Sequence, residues 1–265
     1  MLIRFWSSFV PTFPTGNFSR KLPSFMSIRE VYNKFKGQSP IAGFYFFLKP
    51  AAMIMDLDLV KNVLIKDFSN FAERNGFSNE EDDPLTAHLL NLDEERWRSL
   101  RNKISSTFSS GKMKFMFPTV VEVSKRFSEK FGESAKLENS TIEIKELLAR
   151  FTTDVIGNCA FGIECNSLKD PNAEFRTKGR QLLTEPRHNP VIRGMIIAFP
   201  SIAKKLHVRI VPDHIHNFFM GVVRDTVEYR EKNHIVKNDF LNLLIELKNK
   251  KENSLTLEQV AAQCF

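Results

Sequence analysis

The chain has 265 residues, 42% of them apolar and 26% charged, with a formal net charge of +7 at pH 7. That length holds one large or two small domains, and the apolar share is enough for a real core. Lys and Arg are scattered along the chain and mixed with acids, which argues against nucleic acid and leaves an anionic membrane surface or an acidic protein as the partner of the excess charge.

Met1 to Val10 is apolar but only ten residues long, and Arg4 interrupts it, so it is too short to span a bilayer and poor as a signal peptide. Residues 1–26 form a turn-rich lead-in, with Pro11, Pro14 and Pro23 around Gly16-Asn17. A short helix follows, with Ser27 as its cap and Ile28, Val31, Tyr32 and Phe35 on one face, and Gly37 stops it. Ile41 to Leu48 and Ala51 to Met55 read as the two strands of a hairpin turned at Lys49-Pro50. Asp56 caps a helix through Ile65, with Leu57, Val60 and Leu64 inward. Phe68 to Asp83 has no clear period and reads as a long loop, a kind of segment that is often functional.

Asp93 then caps a helix whose first turn carries Glu94 and Glu95. At 100° per residue, Trp97, Arg101, Ile104 and Phe108 share a face, with Leu100 at its edge. Arg101 therefore falls in an apolar stripe, where a guanidinium needs an anion. Helix geometry by itself favours a carboxylate of the same chain over an acidic ligand lying against the Trp97 indole.

Pro118 is predicted to start the next helix, running to about Leu137, and Thr141 to Ile144 reads as a short strand. Helices follow at Glu146 to Phe161, ending before Gly162, and at Ala173 to Leu183. Pro186, Pro190 and Pro200 then break the chain into short pieces. Pro212 opens a helix through about Lys232, with Phe218, Phe219, Val222, Val223 and Val227 inward, and Asp239 caps another from Phe240 to Lys248. Thr256-Leu-Glu-Gln259 is a capping box opening an apolar helix, which is expected to continue beyond Phe265 in a complete protein.

Little in these elements carries chemistry outright. No GxGxxG, GxxxxGK, GxSxG or HExxH occurs. Cys159, Cys165 and Cys264 cannot all pair internally and have no zinc spacing, so they read as buried thiols in a reducing compartment. His214 and His216 read as surface residues at a helix start, and His88 as a satisfied polar contact. Met113, Phe115, Met116 and Phe117, like Phe218-Phe219, read as core.

Several stretches taken together are more specific. Asp83-Pro-Leu with His88-Leu89, Trp97-Arg98-Ser-Leu-Arg101 and Phe108-Ser-Ser-Gly111-Lys112-Met113 closely resemble the helix-C region of microsomal cytochrome P450 monooxygenases of the insect detoxification branch. Phe151-Thr-Thr-Asp-Val-Ile-Gly-Asn-Cys-Ala-Phe-Gly162 resembles the helix-E region of that branch, and Phe219 to Asn233, Asn238 to Lys250 and Thr256 to Phe265 look like its helices G, H and the start of I. The resemblance implies a mainly α fold with a small β-sheet near the N-terminus. Residues 27–265 would be an incomplete catalytic domain, from helix A to the start of helix I.

It also implies that Trp97 and Arg101 bind a haem propionate, which reverses the choice of anion for Arg101. Leu90 and Asn91, in the loop Gly76 to Leu92, would face a small apolar substrate. The Pro-broken section would be the lid of the substrate channel. The basic residues Arg96, Arg98, Lys103, Lys112 and Lys114, on and just after the helix capped by Asp93, would dock NADPH-cytochrome P450 reductase, at a membrane surface on the cytosolic face of the endoplasmic reticulum. The family's iron ligand is a Cys in Phe-x-x-Gly-x-x-x-Cys-x-Gly, and none of the three cysteines fits it. The Ala-Gly-x-x-Thr of helix I and the Glu-x-x-Arg of helix K do not appear in their places, and Pro14-Thr-Gly-Asn17 resembles the end of the hinge that follows the membrane anchor. Smaller departures are Glu94 for Gly and Ser105-Ser106 for Thr-Pro. No catalytic side chain and no metal ligand is assigned, and the competing reading is a non-catalytic truncated helical protein that binds a partner.

Overall fold

A computed structural model describes residues 24–46, 49–74, 76–136, 141–252 and 254–265. In chain order its elements are α1 (Ser24–Phe35), the strands β1 (Ile41–Phe46) and β2 (Lys49–Ile54), α2 (Leu57–Lys61), α3 (Glu94–Ser105), α4 (Ser110–Ala135), α5 (Ile144–Ile156), α6 (Glu174–Thr184), α7 (Pro190–Ala198), α8 (Pro200–Lys205), α9 (Asp213–Asn233), α10 (Phe240–Lys248) and α11 (Leu257–Cys264). Of the described residues, those up to 74 together with 190–202 form one compact unit, and those from 76 to 189 together with 203–265 form another. The described chain is mainly helical, as expected, with a single small sheet among its described residues.

In the first unit, β1 and β2 pair antiparallel, from Ile41 opposite Ile54 to Phe46 opposite Lys49, so Lys49 and Pro50, expected as the turn, instead open the second strand, where Pro50 at the edge of a two-stranded sheet is tolerated. Phe47 and Leu48, predicted to extend the first strand, lie outside the described residues, as does the lead-in before Ser24. Helix α1 opens at Ser24 rather than after Ser27, because serine is tolerated in a first helical turn and nothing between the two breaks the helix. Asp56 caps α2 by accepting the Leu59 N–H at 2.9 Å, and the helix runs on as a π-helical turn, Asn62–Lys66. Val60 is half-buried, but Leu57 and Leu64 stand exposed. Apolar periodicity identifies a face; it does not supply the element that covers it.

The second unit holds the main core. Leu85, Leu100, Ile104, Met116, Phe161, Phe219, Leu241, Leu244 and Val260 join one buried cluster drawn from the loop before α3 and from α3, α4, α6, α9, α10, α11 and the turn after α5. Phe161, Phe175, Phe218, Phe219 and Phe265 form its aromatic part, with edge-to-face contacts such as Phe175–Phe219 at 5.2 Å between centroids. A smaller cluster packs Val123, Leu147 and Leu168 with Phe127 and Phe151. Asp154, fully buried, accepts the N–H groups of Ser167 and Leu168 at 2.6 and 3.1 Å and so shapes the chain after α5.

Three expectations here are corrected. Pro118 lies inside α4 instead of starting it. Ser109, extended ahead of Ser110, sets the helix start, and burial of Met116 holds the first turns although the proline lacks an N–H. Thr141 to Ile144 is not a strand; no partner strand is present among the described residues, and the Glu143 side chain instead caps α5 by accepting the Lys145 N–H at 3.3 Å. Of Met113, Phe115, Met116 and Phe117, only Met116 is buried, because at 100° per residue Phe115, Met116 and Phe117 point in three different directions around the helix.

One buried ion pair joins three elements. Arg230, near the end of α9, donates through Nη1 and Nη2 to the two carboxylate oxygens of Asp239 at 2.8 and 2.6 Å. Asp239 also caps α10 by accepting the Asn242 N–H at 2.9 Å. The guanidinium lies against Gly162, whose φ of +67° ends the π-helical turn after α5, and a Cβ there would strike Arg230. Asp239→Ala removes the cap and leaves a buried cation unpaired. It is expected to destabilise the chain by about 3–5 kcal/mol, read from its urea-unfolding midpoint; a loss under about 1 kcal/mol would show the pair to be dispensable.

Candidate functional site

Helix α3 begins as its sequence predicts. Asp93 accepts the backbone N–H of Arg96 at 3.1 Å and its Nε–H at 2.7 Å. Arg96 also reaches Glu80 at 3.4 Å, and Arg98 pairs with Glu94 at 2.7 Å. Leu100 and Ile104 form the buried line, with Trp97 half-buried against the same core. Arg101, one residue on from Leu100, turns out to solvent and makes no ion pair among the described residues. No carboxylate of the described chain takes it up. Phe108 leaves the stripe as well: it is exposed at the end of a single 3-10 turn, Ser106–Phe108, with its ring 5.2 Å from that of Phe240.

The loop before α3 is ordered by its own polar groups. Thr86 Oγ1 donates to the Asp83 carbonyl at 2.6 Å and accepts the Asn79 N–H at 2.9 Å. Asn91 Nδ2 donates to the Thr86 carbonyl at 3.1 Å and lies 3.1 Å from His88 Nε2, while the Leu90 N–H donates to His88 Nδ1 at 3.3 Å. His88 is thus engaged within the loop, one ring nitrogen serving as acceptor, and burial holds its pKa below the usual histidine value, so it is neutral at pH 7. Asn91 is half-buried and its amide is engaged within the loop, whereas Leu90 is 62% exposed. Gly76 passes so close to Asn91 that a side chain would collide with it.

Two residues that periodicity reads only as helix formers fix this loop from α11. Gln263 accepts the Leu89 N–H at 3.0 Å and donates to the Ala87 carbonyl at 3.3 Å. Gln259 completes the capping box with Thr256 and donates to Glu80 at 2.8 Å. The box is visible in sequence; its reach across the fold to Glu80 has no sequence signal.

The residues suit one part of a haem and not another. An exposed, unpaired guanidinium four residues from a half-buried indole offers N–H donors to a carboxylate. An axial thiolate needs a cysteine with a lowered pKa in a positive environment. Here burial, and secondarily Asp154, pushes the Cys165 thiol up to about 12. Burial followed by the Asp239 charge raises those of Cys159 and Cys264, and Cys264 Sγ donates to the Ala160 carbonyl at 3.3 Å. Among the described residues no group of three or more His, Cys, Asp or Glu side chains is placed to hold a metal, and no helix is long and apolar enough to cross a membrane.

Comparison with known proteins gives a consistent pattern. The Cytochrome P450 family profile matches residues 14–265. Probable cytochrome P450 6a21 of Drosophila melanogaster is 52% identical over 242 residues, covering 88% of this chain and 48% of that protein. Cytochrome P450 6a2 of the same fly is 52% identical over 224 residues, covering 83% and 44%. Cytochrome P450 6A1 of Musca domestica is 49% identical over 243 residues, covering 90% and 48%. The chain spans about half the length of these relatives.

The raised thiol values set an alkylation experiment. Because the folded state holds Cys165 protonated up to about 12, against 9.0 unfolded, folding gains from its neutral thiol below pH 9 and loses that gain as pH rises between the two. With iodoacetamide at pH 8, Cys165 and Cys264 are expected to react only after urea unfolding, and Cys159, only half-buried, before them. Mass mapping of the labelled peptides checks this, and rapid labelling of native Cys165 contradicts it.

Proposed function

The chain belongs to the cytochrome P450 family, and on that premise we propose that it is the N-terminal half of a haem-thiolate monooxygenase domain that oxidises small apolar compounds with O₂ and electrons from NADPH. The observation that carries this is Arg101. Arg96 and Arg98 on the same helix are each paired with acids, while Arg101 is exposed without an ion-pair partner among the described residues. Trp97 and Arg101 would hold a haem propionate by N–H donation, the indole from its half-buried position and the guanidinium as a charge-assisted donor. When bound, haem supplies the activation of O₂. None of Cys159, Cys165 and Cys264, whose thiols burial holds protonated, would suit the iron of a bound haem; a thiolate for it would come from residues other than 1–265, and this chain alone is expected to be inactive.

The other roles follow the same reading. Leu90 and Asn91 bound the substrate space from the loop at 76–92, Leu90 with an exposed apolar side chain and Asn91 from a half-buried position held by Thr86. Lys103, Lys112 and Lys114 extend the basic surface beside α3 and serve NADPH-cytochrome P450 reductase by charge complementarity. In the other unit, Val191, Ile192, Met195, Ile197, Phe199 and Ile202 are exposed around α7 and α8, which suits contact with the endoplasmic reticulum membrane from its cytosolic side.

Residues 1–265 expressed alone with added haem, reduced and exposed to carbon monoxide, are expected to give no thiolate-type absorption band. Such a band from the soluble monomer would overturn the assignment of the axial ligand. In a longer protein that carries the thiolate ligand, Arg101→Ala is expected to weaken haem retention roughly 10- to 100-fold, the loss of one charge-assisted hydrogen bond. Unchanged haem transfer to an acceptor apoprotein would remove Arg101 from the site and favour the non-catalytic, partner-binding reading.

A further inference from the structure

Asp83 has no exposed surface, yet only one of its carboxylate oxygens is satisfied. Oδ2 accepts the N–H groups of Ile210 and Val211 at 2.7 and 2.9 Å. Oδ1 is buried with no hydrogen-bond partner and faces Nδ1 of His216, itself buried and unpartnered, at 3.8 Å. That separation is too long for a hydrogen bond. Two complementary groups therefore lie side by side, within ion-pair range should His216 be protonated, but without a hydrogen bond. His216, expected at the surface, is instead the half-buried residue beside this carboxylate.

The segment that Asp83 grips is the second stem of the Pro-broken section. Arg187 on the first stem donates to the Val211 carbonyl at 3.2 Å and pairs with Asp213 at 2.9 Å. His188 Nε2 donates to the Arg209 carbonyl at 2.7 Å, and Arg209 pairs with Asp213 at 2.6 Å. The two stems are thus tied together, and Asp83 ties them to the loop that carries Leu90 and Asn91. An exposed second tie links Asp82 to His207 Nδ1 at 2.9 Å.

We propose that Asp83 and His216 form a proton-operated latch. With His216 neutral, Asp83 holds the Ile210 and Val211 amides and closes the loop onto the stem; a proton taken from solvent by His216 makes it a charged donor that draws the carboxylate away and frees both amides. The groups facing His216 act in both directions. Burial first, then Arg209, lower its pKa in the closed arrangement, while Asp83 and Asp213 oppose them, and the net direction is down. The closed form is therefore favoured above the ordinary histidine value of 6.5 and loses its advantage as pH falls below it. Hydrogen bonds from Asn79 and then His207 lower the Asp82 pKa, so this second tie is removed from every sample tested.

That the latch controls entry to a ligand pocket rests on the function proposed above; its existence does not, so the two fail separately. The test is amide hydrogen exchange on residues 1–265 without haem, with His207→Ala in every sample. Protection at Ile210 and Val211, relative to Leu244, is expected to fall about tenfold between about pH 7.5 and about pH 5.5. His216→Phe is expected to abolish that fall, and Asp83→Ala to leave both amides poorly protected at both pH values. An equal fall in His216→Phe, no fall in its parent, or full protection in Asp83→Ala overturns the proposal. Should Asp83→Ala not fold, the comparison with His216→Phe decides by itself.

Discussion

The buried pair of Arg230 and Asp239 fixes the arrangement on which the larger unit depends. One carboxylate neutralises the guanidinium, caps α10 and sits against the turn that ends the π-helical extension of α5. Desolvating two charges is costly, and the cost is recovered only where geometry is bidentate and the remaining lone pairs are used, as they are here. Gly162 is required at the same point twice over: its positive φ suits glycine, and the space a side chain would fill is occupied by Arg230. The aromatic cluster of Phe161, Phe175 and Phe219 packs between the elements so positioned.

Polar groups at the candidate site follow the same rule of saturation, with informative exceptions. Arg96 and Arg98 are bound up with Asp93, Glu80 and Glu94, and the loop at 76–92 satisfies itself through Thr86, His88 and Asn91 before Gln259 and Gln263 pin it from α11. Against that background Arg101 and Asp83 stand out, one as an exposed cation without a carboxylate among the described residues and the other as a buried carboxylate with an idle oxygen. No cysteine joins these exceptions: burial raises the pKa of all three thiols, the reverse of what a thiolate needs.

Sequence alone determined whatever depends on neighbours along the chain. The caps at Asp56, Asp93, Asp239 and Thr256, the hairpin, the end of a helix at Gly162 and the inward line of α9 are local consequences of side-chain acceptors, glycine and 3.6-residue periodicity. The spacing of Trp97 and Arg101, with the flanking motifs, was enough to suggest the family.

What only the tertiary structure decided is where distant atoms meet. Periodicity gave α3 an apolar stripe containing Arg101 and Phe108, but the core closes over Leu100 and Ile104, and a shift of one residue, 100° around the helix, carries Arg101 into solvent. Met116 is buried while Phe115 and Phe117 are not, and Pro118 rides inside α4, because contacts formed elsewhere outweigh local preference. The meeting of Asp83 with Ile210, Val211 and His216 spans more than a hundred residues. No local pattern encodes it, since a lone aspartate and a lone histidine acquire their relation only when the fold excludes water from both.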